Sequence, residues 1–215
     1  MTLAGIADLA AGALITIWLS TLGIALGVPL GLGLALLRVW RVPCLSQLAA
    51  VYVSVIRATP LVTLALFVFF GLPAIGLEMP LYVAAVATLA INTSAFHSEI
   101  WRGSIVDFPP DQLEAARATG MTRTLAFRRI VLPQAWRASL PGMVNEMTFL
   151  VKASPAIAVI GVVDLARAAA RIAAATYEPL PPFISATIIY AIVVVVMVRA
   201  QRQIEKAIVQ KYGVL

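Results

Sequence analysis

Long uncharged apolar runs alternate with short polar segments along this chain. The first run extends from Leu9 to Leu37 without a charged residue, between Asp8 and Arg38. A helix needs about 20 apolar residues to cross the hydrocarbon core of a bilayer. The runs predict an all-α integral membrane protein with one domain and five membrane-spanning helices, over residues 9–37, 58–77, 81–105, 139–163 and 179–199.

Polar residues interrupt the later runs. The third run turns polar from Asn92 onward, and the fourth contains Glu146, Lys152 and Pro155. Ionisable residues inside a bilayer are costly, so they indicate function or pairing. Glu146 and Lys152 lie about 240° apart around a regular helix, so they do not form one strong pair within it. Pro155 is expected to break this helix.

Two shorter helices are expected beside the spans. The first covers residues 45–56 and ends before Arg57 and the Thr59-Pro60 step. The second covers residues 164–178 and has Arg167 and Arg171 on one face. We expect this second helix to lie at the membrane interface.

Three glycines form a stripe of small residues in the first run. Gly23, Gly27 and Gly31 repeat at every fourth position, so they share one helix face. Such a stripe lets two helices approach closely. We favour packing against another helix of the same chain over a dimer contact.

Composition supports a membrane protein and excludes several other classes. The chain of 215 residues is 61% hydrophobic and only 12% charged, whereas soluble domains have about twice this charged fraction. One cysteine, Cys44, excludes an internal disulfide, and the single histidine, His97, offers no metal cluster. We expect no catalytic residues and no nucleic-acid partner. The start of the chain does not resemble a signal peptide, so the first run is expected to stay in the protein.

The distribution of basic residues predicts the orientation in the membrane, because cytoplasmic loops are rich in Lys and Arg. Arg167 and Arg171 lie on one side, while Arg57 and Lys152 are uncounted as possible intramembrane residues. The other side has twelve: Arg38, Arg41, Arg102, Arg117, Arg123, Arg128, Arg129, Arg137, Arg199, Arg202, Lys206 and Lys211. This places the N-terminus outside, the C-terminus inside, and the polar segment 106–137 in the cytoplasm.

The polar segment 106–137 has signals for two short helices. Gly120 is suited to end the first, because glycine readily adopts positive φ. Thr122 can cap the second, and Pro133 is expected to stop it. Phe127, Ile130 and Val131 share one face of this second helix.

The spacing in this segment resembles the conserved loop of ABC importer membrane subunits. The pattern E-A-A-x3-G-x9-I-x-L-P is complete here, and its residues are Glu114, Ala115, Ala116, Gly120, Ile130, Leu132 and Pro133. Other stretches resemble polar amino-acid permeases of the histidine, glutamine, arginine and opine type. They are Arg57-Ala58-Thr59-Pro60-Leu61, Phe69-Phe70-Gly71-Leu72-Pro73, and residues 92–103.

The resemblance implies a type I ABC importer permease in the bacterial inner membrane. It implies that Glu114–Pro133 docks on a cytoplasmic ATPase, with small Ala115 and Ala116 close to the groove and Gly120 turning the chain away. The expected partners are two ATPase subunits, an extracytoplasmic solute-binding protein, membrane lipid and a second permease subunit. The chain lacks the phosphate-binding pattern G-x-x-x-x-G-K-[ST]. ATP and Mg²⁺ therefore belong to the ATPases, and the chain itself is not an enzyme.

The resemblance also implies that the chain lines a pathway through which polar amino acids cross the membrane. The candidate pathway residues are Arg57, Thr59, Asn92, Glu146, Lys152 and Ser154. The family pattern L-x-K-D-T-S-L departs here at Ala153, where the family has an acid. Either the solute is anionic or neutral, with Lys152 and Arg57 binding a carboxylate, or a different permease subunit carries the intact site. We favour the second, a heterodimer.

Structural roles remain open for two of these residues. Lys152 could instead pair with Glu146 of a partner helix. Arg57 could instead anchor the end of its helix at the lipid headgroups. A stand-alone channel or secondary transporter is the alternative function. Such a protein has no reason to keep a docking helix, so the polar segment 106–137 argues against it.

Overall fold

The computed structural model describes residues 3–212, which form helices joined by short connections and no strand. The α-helices are α1 (Leu3–Val39), α2 (Leu45–Ala58), α3 (Leu61–Leu66), α4 (Leu81–Val106), α5 (Pro110–Ala118), α6 (Arg123–Ala126), α7 (Leu132–Ala153), α8 (Leu165–Thr176) and α9 (Leu180–Tyr212). Short π or 3-10 stretches extend three of them, over Phe67–Gly71, Leu72–Ile75, Phe127–Val131 and Ser154–Ile160.

The core forms where α1 lies against α4, and the glycine stripe makes this contact possible. A Cβ at Gly23 would lie 2.5 Å from Leu89 Cβ, and one at Gly27 would lie 2.4 Å from Thr93 Cβ. Both distances are shorter than side chains tolerate, so the two backbones approach as closely as glycine permits. The prediction that the stripe packs within the chain is confirmed.

The region of the second predicted span, 58–77, contains a sharp bend. Thr59 is extended, with φ −91° and ψ 127°, and Pro60 precedes α3. A residue before proline is pushed out of the helical region, which explains why α2 ends here. The helix α2 and the helical stretch Leu61–Ile75 meet at 113°.

Several described helices are long and apolar enough to cross a membrane. By length and composition, residues 3–212 contain three such helices, or four if the bent pair counts as one span. The three are Leu3–Val39, Arg123–Ile160 and Leu180–Ala200. The helix α4 is not among them, because its second half is polar.

Pro133 does not stop a helix, so this prediction is wrong. The chain stays helical from α6 through the π-helical turn Phe127–Val131 into α7. Leu132 N donates to Phe127 O, five residues back. Proline normally clashes with the carbonyl four residues earlier, and the wider π-helical turn accommodates the ring of Pro133. In contrast, α7 does end at Ala153, just before Pro155, as predicted.

Buried polar contacts hold α8 against α1 and α9. Asp164 caps α8 by accepting a bond from Arg167 N at 2.9 Å, and Tyr190 O–H donates to its other oxygen at 3.3 Å. Leu165 N donates to Thr16 Oγ1 at 3.1 Å. Burial raises the pKa of the Asp164 carboxyl, although the hydrogen bonds oppose this shift. These contacts join α1, α8 and α9 on the side opposite the polar segment 106–137.

Candidate coupling surface and solute pathway

The helix α5 is a short helix with well-defined ends. Gly120 has φ +79°, and its N–H donates to Arg117 O at 2.9 Å. Met121 N donates to Ala116 O at 3.0 Å, which completes the bond pair of a Schellman C-cap. Thr122 Oγ1 then accepts from Leu125 N at 3.3 Å and caps α6. The predicted roles of Gly120 and Thr122 in ending and starting these helices are confirmed.

The motif residues divide into an exposed and an interior group. Glu114, Ala115 and Gly120 are exposed. Ala116 is only 4% exposed, because it faces the rest of the chain. Of the two alanines expected to approach an ATPase, only Ala115 is therefore accessible to a partner. Ile130, Leu132 and Pro133 are half-buried within the chain.

An apolar cluster lies beneath α5. Its buried members are Ile105, Phe108, Val131 and Ala135, and the half-buried residues packed against them are Leu36, Val39, Leu113, Phe127 and Ile130. The predicted apolar face of Phe127, Ile130 and Val131 is confirmed, because all three belong to this cluster. Since the cluster draws on α1, α4, α5 and α7, it holds α5 against the ends of three long helices.

Three polar side-chain pairs strengthen this end of the bundle, and sequence reasoning missed all of them. Gln134 Nε2 donates to Gln112 Oε1 at 2.8 Å. Glu99 accepts from Arg38 and also from Arg102, whose Nη2 lies 2.9 Å from Glu99 Oε2. The spacing of Glu99 and Arg102 at i, i+3 is a signal that could have found one pair. The contact with Arg38 crosses from α4 to α1 and has no local signal.

The structure brings Arg57 and Glu146 into one region from different helices. The guanidinium of Arg57, near the end of α2, lies 5.3 Å from the centre of the Phe96 ring on α4. Arg57 also attracts the carboxylate of Glu146 on α7. Glu146 Oε1 is buried and has no hydrogen-bond partner among the described residues. The two opposite charges therefore influence each other but form no ion pair within 4.0 Å in residues 3–212.

The remaining candidate residues occupy different surroundings. Asn92 is only 6% exposed, and Ser154 is fully buried, with its hydroxyl donating to Val151 O at 2.8 Å. Thr59 Oγ1 donates to Val55 O within its own helix. Lys152 is exposed, and no carboxylate of residues 3–212 forms an ion pair with it. The candidates therefore do not form a single cluster.

Comparison with known proteins identifies the family. A family model described as the binding-protein-dependent transport system inner membrane component matches residues 27–210. The chain belongs to this family. The match begins in the last third of α1 and extends into α9, and it includes the polar segment 106–137.

Several relatives are permease proteins of amino-acid or opine transport systems. The chain is 38% identical to the octopine transport system permease protein OccM of Rhizobium meliloti, over 85% of this chain and 78% of the relative. It is 35% identical to the arginine transport system permease protein ArtQ of Bacillus subtilis, over 91% and 90% of the two chains. It is 32% identical to the glutamine transport system permease protein GlnP of Escherichia coli, with the same coverage.

Solved structures show the same fold. A crystal structure of an amino acid ABC transporter with histidines has a chain 35% identical to this one, with a TM-score of 0.87 over 94% of each chain. The MetNI methionine ABC transporter, at 20% identity and a TM-score of 0.74, shares the fold over 97% of this chain. The all-helical type I ABC permease fold is thereby confirmed.

The family membership defines the general role of the chain. It is an inner-membrane permease subunit of the ABC importer type and works with a binding protein. As in its relatives, the permease is not the catalytic subunit, and the ATPase is a partner. The resemblance to polar amino-acid permeases is confirmed.

Proposed function

We propose that this permease subunit imports polar amino acids or opines and is driven through α5. The observation that carries the proposal is the exposed side of α5, where Glu114 and Ala115 project from a helix with a capped end. Glu114 would meet a basic group or a backbone N–H of the ATPase, and Gly120 would turn the chain out of the contact. Buried Ala116 and half-buried Ile130, Leu132 and Pro133 would support this surface from within.

We also propose five membrane spans, with the N-terminus outside and the C-terminus inside. The bent pair of α2 and α3 and the three long apolar helices provide four spans. The fifth is α4, whose 26 residues extend about 39 Å and exceed the bilayer core. The excess of arginine in the polar segment 106–137 supports its cytoplasmic location.

The partners proposed are a second permease subunit, two ATPase subunits that hold ATP and Mg²⁺, and an extracytoplasmic solute-binding protein. Membrane lipid surrounds the assembly. Ala153 supports a heterodimer, because it stands where the family pattern L-x-K-D-T-S-L, taken from the resemblance, has an acid. In Leu180–Ala200, only 6% of the 18-residue apolar window is buried within the chain, so this helix is available to lipid or a partner subunit.

The charges of Arg57 and Glu146 support a zwitterionic amino acid as the solute. Arg57 would bind the α-carboxylate and Glu146 the ammonium group, since each charge has its complement in the solute. Asn92 lies on the helix that carries Phe96 and would add an amide to the pathway. Thr59, Lys152 and Ser154 are also proposed pathway residues, but the geometry supports them less. The hydroxyls of Thr59 and Ser154 bond to nearby backbone carbonyls, and Lys152 forms no ion pair in residues 3–212.

Reconstitution tests the proposed function directly. The chain would be purified with its ATPase and second permease, placed in liposomes with the binding protein, and assayed with radiolabelled amino acids and octopine. We expect uptake only with ATP, the ATPase and the binding protein all present. Uptake by the chain alone without ATP would instead identify a channel or secondary transporter.

A further inference from the structure

A hydrogen bond between two side-chain amides joins α5 to the first turn of α7. Gln134 Nε2 donates to Gln112 Oε1 at 2.8 Å across 22 positions of sequence. Gln112 lies two residues before Glu114 on α5, and Gln134 lies two residues after Leu132, where α7 begins. The bond therefore connects the proposed docking helix directly to a membrane-spanning helix.

An apolar contact reinforces the connection. Leu113, next to Gln112 on α5, packs against the cluster that contains Val131 and Ala135. Val131 precedes Gln134 and Ala135 follows it, in the stretch where α6 continues into α7. The helix α5 is thus fixed to the same short stretch by an apolar side chain and by a polar one.

The stretch to which α5 is fixed continues into the solute pathway. The chain is helical without a break from Arg123 to Ala153, because the π-helical turn accommodates Pro133. Glu146 lies twelve residues beyond Gln134, about 18 Å along the helix. Pro141 and Gly142 lie between these two positions, but α7 stays α-helical through them, so a displacement at its base can be carried toward Glu146.

We propose that Gln112 and Gln134 are positioning residues that make α5 and α7 one rigid body. Movement of α5 on the ATPase is then passed directly to the helix that carries Glu146. The inference rests on the proposed docking role of α5, since it concerns how that movement reaches the pathway. Neither glutamine touches the solute or the ATPase reaction.

Charge variants of the pair test this connection in the reconstituted complex. Because a glutamine amide can flip, Gln112→Glu or Gln134→Glu alone keeps one donor opposite one acceptor. The double variant Gln112→Glu/Gln134→Glu places two carboxylates together, whereas Gln112→Glu/Gln134→Lys places opposite charges together. We expect the double glutamate variant to transport about fivefold fewer solute molecules per ATP hydrolysed. The single variants and the Glu/Lys pair should retain the normal ratio.

A normal transport-to-ATP ratio in the double glutamate variant would overturn the proposal, and a uniform loss in all four variants would also overturn it. A cross-link provides the second measurement if the double glutamate variant fails to assemble. Gln112→Cys and Gln134→Cys, in a chain with Cys44→Ser, would be joined by a short bis-methanethiosulfonate linker. A rigid unit should transport normally when linked, whereas transport that stops on linking and returns on reduction would overturn the proposal.

The Glu114→Lys variant, measured in parallel, separates this inference from the proposed function. Normal coupled transport in Glu114→Lys would contradict the docking role of α5 itself. Uncoupled ATP hydrolysis in Glu114→Lys together with a normal double glutamate variant would overturn the Gln112–Gln134 connection alone.

Discussion

The coupling surface on α5 and the pathway region around Glu146 differ in how their polar groups are satisfied. Around α5, local bonds close the helix ends at Gly120 and Thr122, and Glu114 is exposed. Around Glu146, a carboxylate oxygen is buried without a partner among the described residues. A buried unpaired charge is costly, whereas an exposed one is not. The polar groups of the first region are thus satisfied within the chain or by water, which fits the proposed docking role, whereas the second region retains an unpaired oxygen for the proposed solute.

The largest expected effect tests the docking surface. Glu114→Lys reverses the charge that we propose to face the ATPase, so we expect solute uptake to fall by more than about tenfold while ATP hydrolysis continues. Uptake and ATPase activity in proteoliposomes, together with the amount of inserted protein, measure this effect. Glu178→Lys, the same reversal at an exposed residue after α8, is the matched control and should behave as the unmodified chain. Equal uptake by the two variants would contradict the docking role of Glu114.

The next effect concerns the unpaired carboxylate of the pathway. Glu146→Gln keeps the side-chain size but removes the charge, so we expect uptake to fall about tenfold, which corresponds to about 1.4 kcal/mol. Affinity of the complex for the solute should fall while its assembly is unchanged. Transport kinetics and co-purification of the subunits distinguish these results. Loss of assembly with normal solute affinity would assign Glu146 to structure.

The variant Lys152→Ala is a second test of the pathway region. Lys152 is exposed and has no ion-pair partner in residues 3–212. We expect this variant to lower uptake severalfold while the second permease subunit still co-purifies. If the second subunit no longer co-purified, Lys152 would instead be a contact between subunits.

A stability comparison tests the shared scaffold of both regions. Gly27→Ala would bring a Cβ to 2.4 Å from Thr93 Cβ, and we expect it to cost about 1–3 kcal/mol. Gly33→Ala, in the same helix but with open space around the added Cβ, is the control. Its expected effect is stabilising by up to about 1 kcal/mol. Thermal unfolding in detergent measures both, and equal shifts would contradict the close α1–α4 packing.

The smallest effect tests the local order of the coupling surface. Thr122→Ala removes the side-chain acceptor for Leu125 N and should cost about 1 kcal/mol. Hydrogen exchange of the backbone amides in α6 should become faster, whereas exchange in α8 should not change. Unchanged exchange in α6 would show that tertiary packing, rather than the cap, orders this helix.

Sequence reasoning succeeded where neighbouring residues decide the outcome. The end of α5 at Gly120, the cap at Thr122 and the break before Pro155 follow from backbone preferences of a few residues. It failed at Pro133, because the π-helical turn that accommodates proline has no simple sequence signature. It also placed both Ala115 and Ala116 toward the ATPase, although only the packing beneath α5 determines which alanine is exposed.

The sequence alone determined the helical membrane architecture, the motif spacing and the family to which the chain belongs. The length of an apolar run and the residues that end a helix depend on neighbouring positions in the sequence, so the sequence alone is enough to predict them. Only the tertiary structure joined Gln112 to Gln134, Arg38 to Glu99, and Arg57 to the region of Glu146. These pairs lie on different helices. Their approach depends on how the helices cross, which is set by packing such as that of the glycine stripe against α4.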